Sequence, residues 1–366
     1  MLQTVIDCQN NYLELDDYLN KYHKLFIVCS KSISKTKIGN HLSLLNIDKV
    51  YFTNFNPNPT YDSVLLGVEE FKQSNADIII ALGGGSAIDV AKCIKLFANM
   101  DSQKNYLNQK IVPNNLDLMA IPTTAGTGSE ATSFAVIYYE GEKKSVSDAS
   151  IIPNIVVFDP SSLDTLPVYQ RKATMLDALS HAIESYWSVN ATEESQKYSL
   201  DAMKLIIKNM DSYLKNNKIG NTNMLKAANI AGKAINISKT TAGHALCYKL
   251  TSIYGIAHGH AAALVNSILY PYMITYAKSN NDNKLLTILT KISNTLGYND
   301  LESSKDYLKE LLIKLDLYDI EINYEDIDAL SLSVNIERLN NFPIRLTNDN
   351  IKDIYTSIFN EIKGEK

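Results

Sequence analysis

Four residues have side chains and spacing suited to binding one metal ion. Asp177 and His181 lie four positions apart in ATMLDALSHAIESYW, and His244 and His258 follow in AGHALCY and AHGHAAAL. Residues four apart lie on one face of a helix, so the first pair can chelate a single ion. One carboxylate and three imidazoles suit Fe²⁺ or Zn²⁺ and can leave a position open for a substrate. The pattern therefore predicts a metal centre at these four residues.

The alternative is a set of buried polar side chains that hydrogen-bond to the protein, and this is the more common role of any single histidine. The surroundings of the first pair favour a metal, because burying polar groups without a partner is costly. Asp177 and His181 interrupt an apolar helical stripe formed by Met175, Leu176, Leu179 and Ile183.

Two loops of small residues have the composition of a nucleotide-binding site. ALGGGSAIDVAK (81–92) follows an apolar strand and leads into a helix, so its glycines and the helix N-terminus can receive a pyrophosphate. A tight turn without a ligand is the alternative, but three consecutive glycines exceed what a turn needs. IPTTAGTGSEAT (121–132) also follows a strand and offers hydroxyls to cofactor oxygens. Both loops belong at the carboxyl ends of parallel strands, where ligands bind.

Secondary-structure patterns divide the chain into two domains. Short apolar runs alternate with helical stretches up to about residue 160, which predicts an α/β domain with a Rossmann-like parallel sheet. Long helical patterns then follow one another, which predicts an all-α domain over 161–366. The predicted strands are KLFIVC (24–29), DIIIAL (77–82), LDLMAI (116–121) and NIVVF (154–158).

Composition excludes several functional classes. The 366 residues carry a formal net charge of −5, with no basic excess that would indicate nucleic acid binding. We see no apolar run of membrane-spanning length, and the polar N-terminus does not resemble a signal peptide. The four cysteines are far apart and are expected to be reduced core residues. We therefore expect a cytoplasmic protein without membrane or nucleic acid partners.

Taken together, these motifs resemble those of the iron-containing (group III) alcohol dehydrogenase family, in the same order. They include NPNPT (56–60), the two small-residue loops, DALSHAIES and the terminal RLNNFPIRLT. The spacings of 4, 63 and 14 residues between the four candidate ligands also fit the family. The resemblance implies a dinucleotide domain, a helical metal-binding domain, a cleft between them, and a homodimer. It identifies the quartet as metal ligands and gives cofactor contacts at Asn58, Gly84, Gly85, Ser86, Thr123, Thr124 and Lys143. Asp89 and Thr127, in the two small-residue loops, are further candidate cofactor residues.

In the reaction that the resemblance implies, the metal is a Lewis acid for the substrate oxygen and NAD(P)H carries the hydride. Three departures from the family bear on this expectation. Ser30 and Lys31 stand where the family often has an acidic residue, which favours NADP(H) and leaves NAD(H) open. Tyr248 replaces a histidine that many relatives have four positions after the third ligand. His260 is an additional histidine, a relay or an anion contact, so the candidate catalytic residues are His258, Tyr248 and His260.

The segments around the quartet resemble one branch of the family, the hydroxyethylphosphonate dehydrogenases, which reduce phosphonoacetaldehyde to 2-hydroxyethylphosphonate. Such a small anionic aldehyde needs cationic or hydroxyl donors near the metal. Lys239, Thr240 and Thr241 precede His244, and Arg338 lies in the closing segment, where it can bind a phosphonate with two hydrogen bonds. Solvated surface charges are the alternative for Lys239 and Arg338.

Three other functions remain open at this point. A generic short-chain alcohol or diol dehydrogenase of the same family would lack a preference for the phosphonate. A lyase resembling dehydroquinate synthase would use the same cofactor and metal without net reduction of an aldehyde. A non-catalytic binding protein would use its metal for stability alone.

Overall fold

A computed structural model of the chain describes residues 3–9, 11–31 and 33–364, and the chain divides into two compact units. The first unit comprises Met1–Pro167 and Asp211–Gly232, and the second comprises Val168–Met210 and Lys233–Lys366. The main segment of the first unit ends at Pro167, whereas the predicted boundary lies near residue 160. The sequence pattern did not predict that 211–232 would belong to the first unit.

The first unit contains a six-stranded parallel sheet and a two-stranded antiparallel hairpin. The strands are β1 (Thr4–Asp7), β2 (Lys24–Cys29), β3 (Asp48–Phe52), β4 (Ile78–Gly83), β5 (Asp117–Pro122), β6 (Phe134–Tyr139), β7 (Glu142–Ser147) and β8 (Ile155–Phe158). The order in the sheet is β1-β8-β5-β4-β2-β3, and β6 pairs with β7 in the hairpin. The predicted parallel α/β domain is confirmed.

Both faces of this sheet are covered, which explains the unbroken apolar runs of the central strands. Phe26 and Ile79 belong to one hydrophobic cluster, while their neighbours Leu25, Ile78 and Ile80 belong to another. Successive side chains of a strand point to opposite faces, so each run must be apolar throughout to fill both clusters.

Helices surround the sheet in the first unit and form nearly all of the regular structure in the second. Those of the first unit are α1 (Leu13–Leu19), α2 (Lys37–Leu44), α3 (Tyr61–Ser74) and α4 (Gly85–Phe97), together with residues 218–232 of a later helix. The chain continues through α5 (Val168–Trp187), α6 (Glu193–Leu214), α7 (Lys218–Ser238), α8 (Ala242–Tyr254), α9 (His258–Ser279), α10 (Asn283–Leu296), α11 (Leu301–Ser304), α12 (Tyr307–Lys314), α13 (Ile327–Leu332) and α14 (Asn348–Lys363). No strand follows β8 in the part of the chain that the structure describes, so the predicted helical second domain is confirmed.

Short 3₁₀ segments connect several of these elements. They are Ile33–Lys35, Tyr106–Asn108, Ser129–Ala131, Ala149–Ile151, Pro160–Leu163, Tyr324–Asp326 and Ile336–Asn341.

Among the described residues, no helix combines the length and the apolar character that crossing a bilayer requires.

Candidate metal centre and nucleotide site

Three helices of the second unit bring the predicted metal ligands together. α5 carries Asp177 and His181, His244 lies in the first turn of α8, and His258 is the first residue of α9. Ligand atoms of Asp177, His244 and His258 lie within 4.8 Å of one another. The Nε2 atoms of His244 and His181 are 3.4 Å and 4.0 Å from Asp177 Oδ1. All four predicted ligands therefore converge on one point of the second unit.

Two buried atoms at this point lack the hydrogen bonds that burial normally demands. Asp177 Oδ1 and His244 Nε2 form no hydrogen bond within the described part of the chain. An unsatisfied buried polar atom costs about 1–3 kcal/mol. A divalent cation would satisfy both atoms, so the donor set fits the metal that the sequence predicts.

The electrostatics of Asp177 also suit a cation site. Burial alone would raise the pKa of this carboxyl group, but the imidazoles of His181, His244 and His258 outweigh burial and lower it. Asp177 therefore stays ionised although it is only 3% exposed. An ionised, buried carboxylate among imidazoles is an arrangement that attracts a metal ion.

A glycine lets the first turn of α9 approach α5. A Cβ atom at Gly259 would collide with the carbonyl oxygen of Ala173 and with Cβ of Asp177. Only a residue without a side chain permits this approach, which places His258 beside Asp177. The AHGHA motif thus contains both a candidate ligand and the glycine that positions it.

Glu184 belongs to the same cluster, although the sequence analysis did not assign it. It is fully buried and accepts hydrogen bonds from His244 Nδ1 at 2.6 Å, from the Thr241 backbone N–H at 2.7 Å and from Asn266 Nδ2 at 3.0 Å. Burial opposes the ionisation of Glu184, but His244 and these donors lower its pKa to about 2. A charged residue three positions after His181, on the same apolar helix, was the available signal in the sequence.

His258 marks the more accessible side of the cluster. It is half-buried, whereas the other three candidate ligands are buried. The ring of Tyr248 stacks on His258, with centroids 5.3 Å apart and planes 19° apart. The guanidinium of Arg338, from the segment Ile336–Asn341, lies 4.9 Å from the centroid of the Tyr248 ring. The structure therefore places Tyr248, a predicted catalytic residue, next to a candidate metal ligand, and Arg338, a predicted substrate residue, against the ring of Tyr248.

The other predicted substrate residues have partners within the second unit. The Thr241 hydroxyl donates to Glu184 and accepts from Trp187 Nε1. The Thr240 carbonyl oxygen accepts from Asn341 Nδ2 at 3.1 Å. Lys239 is exposed, and its ammonium donates to the Asn236 carbonyl oxygen. The contacts of Lys239, Thr240 and Thr241 with substrate stay predictions.

His260 lies buried behind the first turn of α9. Its Nε2 atom is 2.6 Å from the carbonyl oxygen of Leu317, and its Nδ1 atom is 3.1 Å from the hydroxyl of Tyr169. That hydroxyl also accepts from the backbone N–H of Ala257 at 2.8 Å. His260 thus secures the start of α9, next to His258, and its role as a relay or anion contact stays a prediction.

In the first unit, the two small-residue loops lie side by side. Gly83 pairs with Pro122 in the sheet, and the N–H of Thr123 donates to the Gly83 carbonyl oxygen at 3.0 Å. A Cβ atom at Gly84 would lie 3.2 Å from Thr124 Cγ2. A Cβ atom at Gly85 would lie 3.0 Å from Thr127 Cγ2.

Glycines at 84 and 85 therefore keep free a space that side chains would fill, between the start of α4 and the Thr-rich loop. The half-buried Ser86 follows in the first turn of α4. Backbone N–H groups at the start of a helix bind phosphate well. This arrangement fits the pyrophosphate of a dinucleotide.

A buried charge network holds the Thr-rich loop against α4. Asp89 accepts from the Ser129 hydroxyl at 2.6 Å and from the Val136 N–H at 3.1 Å. The fully buried ammonium of Lys92 donates to the hydroxyls of Ser129 and Thr132. Burial lowers the pKa of Lys92 to about 8, against the opposing effect of Asp89 and Glu130. Asp89 therefore supports the loop, and a direct contact with the cofactor stays a prediction.

The remaining predicted cofactor residues lie at the same edge of the sheet or on the hairpin. Ser30, Lys31 and Asn58 line a surface cavity of about 530 Å³ beyond the ends of β2 and β3. Lys143 lies on β7, where its charge favours the ionised form of Asp89. The cavity thus brings together three of the predicted cofactor residues.

Comparison with models of protein families shows to which family the chain belongs. A model described as iron-containing alcohol dehydrogenase matches residues 4–160, and a model described as the C-terminal part of the Fe-containing alcohol dehydrogenase family matches residues 172–359. The chain belongs to the iron-containing alcohol dehydrogenase family. This is a family of oxidoreductases, and membership accounts for the presence of both a glycine loop and a histidine-rich centre in one chain.

Individual members of the iron-containing alcohol dehydrogenase family show how far the similarity extends. Alcohol dehydrogenase 4 of Schizosaccharomyces pombe is 32% identical over 316 residues, which cover 82% of this chain and 73% of that protein. An aldehyde-alcohol dehydrogenase of Streptococcus pneumoniae is 33% identical over 241 residues, or 62% of this chain. The match spans only 27% of the length of that second relative.

A solved structure has the same fold. Sulfoacetaldehyde reductase from Bifidobacterium kashiwanohense, crystallised in complex with NAD⁺, superposes with a TM-score of 0.85 at 24% identity. The superposition covers 97% of this chain and 96% of that one. The arrangement of strands and helices described above therefore also occurs in a solved structure.

Proposed function

We propose that this chain is a metal-dependent, NAD(P)H-linked reductase of a small anionic aldehyde, and that its reaction converts phosphonoacetaldehyde to 2-hydroxyethylphosphonate. One observation carries the choice of substrate class. The guanidinium of Arg338 lies over the ring of Tyr248, and that ring stacks on the candidate ligand His258. A permanent positive charge thus lies against the aromatic ring that stacks on the most accessible candidate ligand.

The chemistry of this cation suits a phosphonate. A guanidinium stays charged at every physiological pH and can give two parallel hydrogen bonds to phosphonate oxygens. A neutral alkyl aldehyde would gain nothing from it. Burial raises the pKa of Tyr248, so its phenol stays protonated at neutral pH and can donate a further hydrogen bond from Oη. Sulfoacetaldehyde reductase, whose name denotes another anionic aldehyde, shares the fold.

In the proposed mechanism, Asp177, His181, His244 and His258 would hold the metal. When bound, Fe²⁺ or Zn²⁺ supplies a Lewis acid for the carbonyl oxygen of the substrate. Glu184 orients the imidazole of His244, Arg338 binds the anionic end of the aldehyde, and the glycine loop of the first unit holds the pyrophosphate of the cofactor. NAD(P)H, when bound, would supply the hydride for the aldehyde carbon, and uptake of one proton would complete the alcohol.

Within this proposal, NADP(H) is the favoured cofactor and NAD(H) is the alternative. Ser30 and Lys31 lie at the same cavity as Asn58, beyond the end of β2. A hydroxyl and an ammonium can receive the 2′-phosphate of NADP(H), whereas an acidic residue in this region would select the free 2′-hydroxyl of NAD(H). A comparison of kcat/KM for NADPH and NADH distinguishes the two cofactors.

The substrate is tested with Arg338→Ala and a panel of phosphonoacetaldehyde, acetaldehyde, propanal and lactaldehyde. Loss of hydrogen bonds to a charged group costs about 1.5–3 kcal/mol, so kcat/KM for the phosphonate is expected to fall about 10- to 100-fold. The rate with propanal is expected to change by less than about twofold. Arg345→Ala is the matched control, because Arg345 is an exposed arginine in the same terminal segment.

A generic short-chain alcohol or diol dehydrogenase is the second candidate, and the names of the relatives favour it. Equal kcat/KM values for all four aldehydes, unaffected by Arg338→Ala, would establish this candidate and refute the anionic substrate. The two matched family models give no support to the lyase alternative.

A further inference from the structure

Both carboxylate oxygens of Glu184 accept several hydrogen bonds. Its Oε2 atom accepts from the backbone N–H and the hydroxyl of Thr241, and from the backbone N–H of His244. Its Oε1 atom accepts from His244 Nδ1 and Asn266 Nδ2. Five donors on two oxygens require an ionised carboxylate, which can accept but not donate.

This arrangement determines which nitrogen of His244 carries the proton. Since Glu184 can only accept, the Nδ1 atom must be the donor in their 2.6 Å hydrogen bond. The neutral imidazole then has its lone pair on Nε2, the atom that lies 3.4 Å from Asp177 Oδ1. In that form, the atom that would bind a metal points at the cluster.

The backbone is adapted to this carboxylate. A Cβ atom at Gly243 would collide with Oε1 of Glu184 and Oδ1 of Asn266. The residue before His244 must therefore lack a side chain for α8 to bring its ligand against Glu184. Glu184 and Asp177 also supply two buried negative charges, which together balance the charge of a divalent cation.

We propose that Glu184 is a positioning residue that prepares the metal centre by holding His244 in the tautomer with its proton on Nδ1. The inference rests on the proposed metal-dependent function. Glu184 controls metal affinity through His244, without touching the metal itself. Partners of this kind typically change metal affinity or activity 10- to 100-fold when they are removed.

Glu184→Gln tests this role because glutamine has the same shape as glutamate but can donate hydrogen bonds as well as accept them. The new amide group can donate to His244 Nδ1 and to Asn266 Oδ1, an atom that has no hydrogen-bond partner in the part of the chain that the structure describes. That arrangement moves the imidazole proton of His244 to Nε2, where it blocks the metal. The variant should therefore fold normally and bind metal poorly.

The experiment uses the metal-free full-length protein with Zn²⁺ as the probe. We expect competition against a chelator to show a 10- to 100-fold weaker Zn²⁺ affinity for Glu184→Gln, while the Tm of the metal-free protein stays within a few degrees of the wild type. ¹⁵N NMR of the imidazole should show the proton of His244 moving from Nδ1 to Nε2. Neither readout depends on turnover.

Two further variants separate positioning from packing. Glu184→Asp keeps an acceptor-only group, so we expect it to lose less Zn²⁺ affinity than Glu184→Gln and to retain the Nδ1 proton. Glu194→Gln makes the same chemical change at an exposed position of α6 and should bind Zn²⁺ as the wild type does.

Wild-type affinity in Glu184→Gln, or an Nδ1 proton that stays in place, would overturn the inference while the metal centre stands. A wild-type protein that fails to bind Zn²⁺ and Fe²⁺ would instead overturn the metal centre, and this inference with it.

Discussion

Each unit of the molecule contains a cluster of buried polar side chains, and the two clusters differ in how completely they are satisfied. In the first unit, the ammonium of Lys92 donates to two hydroxyls and to the carbonyl oxygen of Phe134, and Asp89 accepts two hydrogen bonds. In the second unit, Asp177 Oδ1 and His244 Nε2 face each other at 3.4 Å, and neither has a hydrogen bond within the described residues.

The comparison distinguishes a structural cluster from a binding site. A network whose donors and acceptors are matched stabilises one packing arrangement and has no need of a ligand. In the second cluster, by contrast, good metal-binding atoms have no hydrogen-bond partner, while the residues that orient them are well bonded. Such a cluster is organised to bind a metal ion. The first cluster therefore supports the nucleotide loop, and the second is itself the proposed site.

The largest expected effect that separates the clusters comes from Asp177→Asn. The change removes the negative charge among three imidazoles, so we expect metal affinity to fall by more than about 100-fold, beyond the usual effect of outer partners. Metal analysis of the purified variant and chelator competition measure the loss. Binding of NADPH, followed by its fluorescence, should be unchanged, and equal losses of both ligands would show that the two units do not act separately.

Lys92→Met tests the first cluster through the pH dependence of its contribution to stability. Burial lowers the pKa of Lys92 from 10.5 to about 8, so above pH 8 the folded chain holds fewer protons than the unfolded chain. The stability of the wild type relative to the variant should therefore rise as pH increases from 8 towards 10.5 and fall as pH decreases through 8. Between pH 8 and 9.5 the change is about 2 kcal/mol.

Thermal unfolding of both proteins at the two pH values measures this difference. Lys226→Met is the control, because Lys226 is half-buried and its ammonium pairs with Asp7 at the surface. A difference between wild type and Lys92→Met that does not vary with pH would mean that Lys92 is not held in a low-dielectric environment.

Gly84→Ala should have a smaller effect, confined to the cofactor. The added methyl group would lie 3.2 Å from Thr124 Cγ2, so the two loops must separate slightly or the pyrophosphate must shift. Overpacking of this kind costs about 1–3 kcal/mol, which corresponds to a loss of cofactor affinity of about tenfold or more. Fluorescence titration with NADPH checks the loss, and metal content should not change.

Gly141→Asn serves as the control for that substitution. Gly141 lies in the turn between β6 and β7, has open space around it and has φ of +78°, a region in which asparagine is tolerated. Equal NADPH affinity in Gly84→Ala and Gly141→Asn would remove the argument that the space at Gly84 serves the cofactor.

Sequence reasoning found the elements whose pattern is local. The central strands can be recognised as unbroken apolar runs. On α5, a spacing of four residues is enough to place Asp177 and His181 on the same face. β1 and β3 were missed because TVID and DKVYF mix polar and apolar residues, as edge strands do. The hairpin of β6 and β7 was also missed, since its second strand, EKKSVS, is mostly polar.

The parts of the site that depend on long-range packing could not be predicted in the same way. Glu184 lay inside a motif that had already been recognised, but its function depends on Thr241 and Asn266, which are far away in the chain. The meeting of Arg338 with Tyr248 likewise requires the closing segment to pack against α8. Spacing identifies candidate ligands, whereas the residues that orient them become visible only in the folded chain.

The central claim is that a metal held by the quartet is required for reduction of an anionic aldehyde. It is tested most directly by titrating Fe²⁺ or Zn²⁺ anaerobically into metal-free protein while NADPH oxidation is followed with phosphonoacetaldehyde as substrate. The account predicts that the rate rises from near zero to a plateau at about one ion per chain, and that Asp177→Asn stays inactive at the same metal concentration. Full turnover by metal-free protein would contradict it.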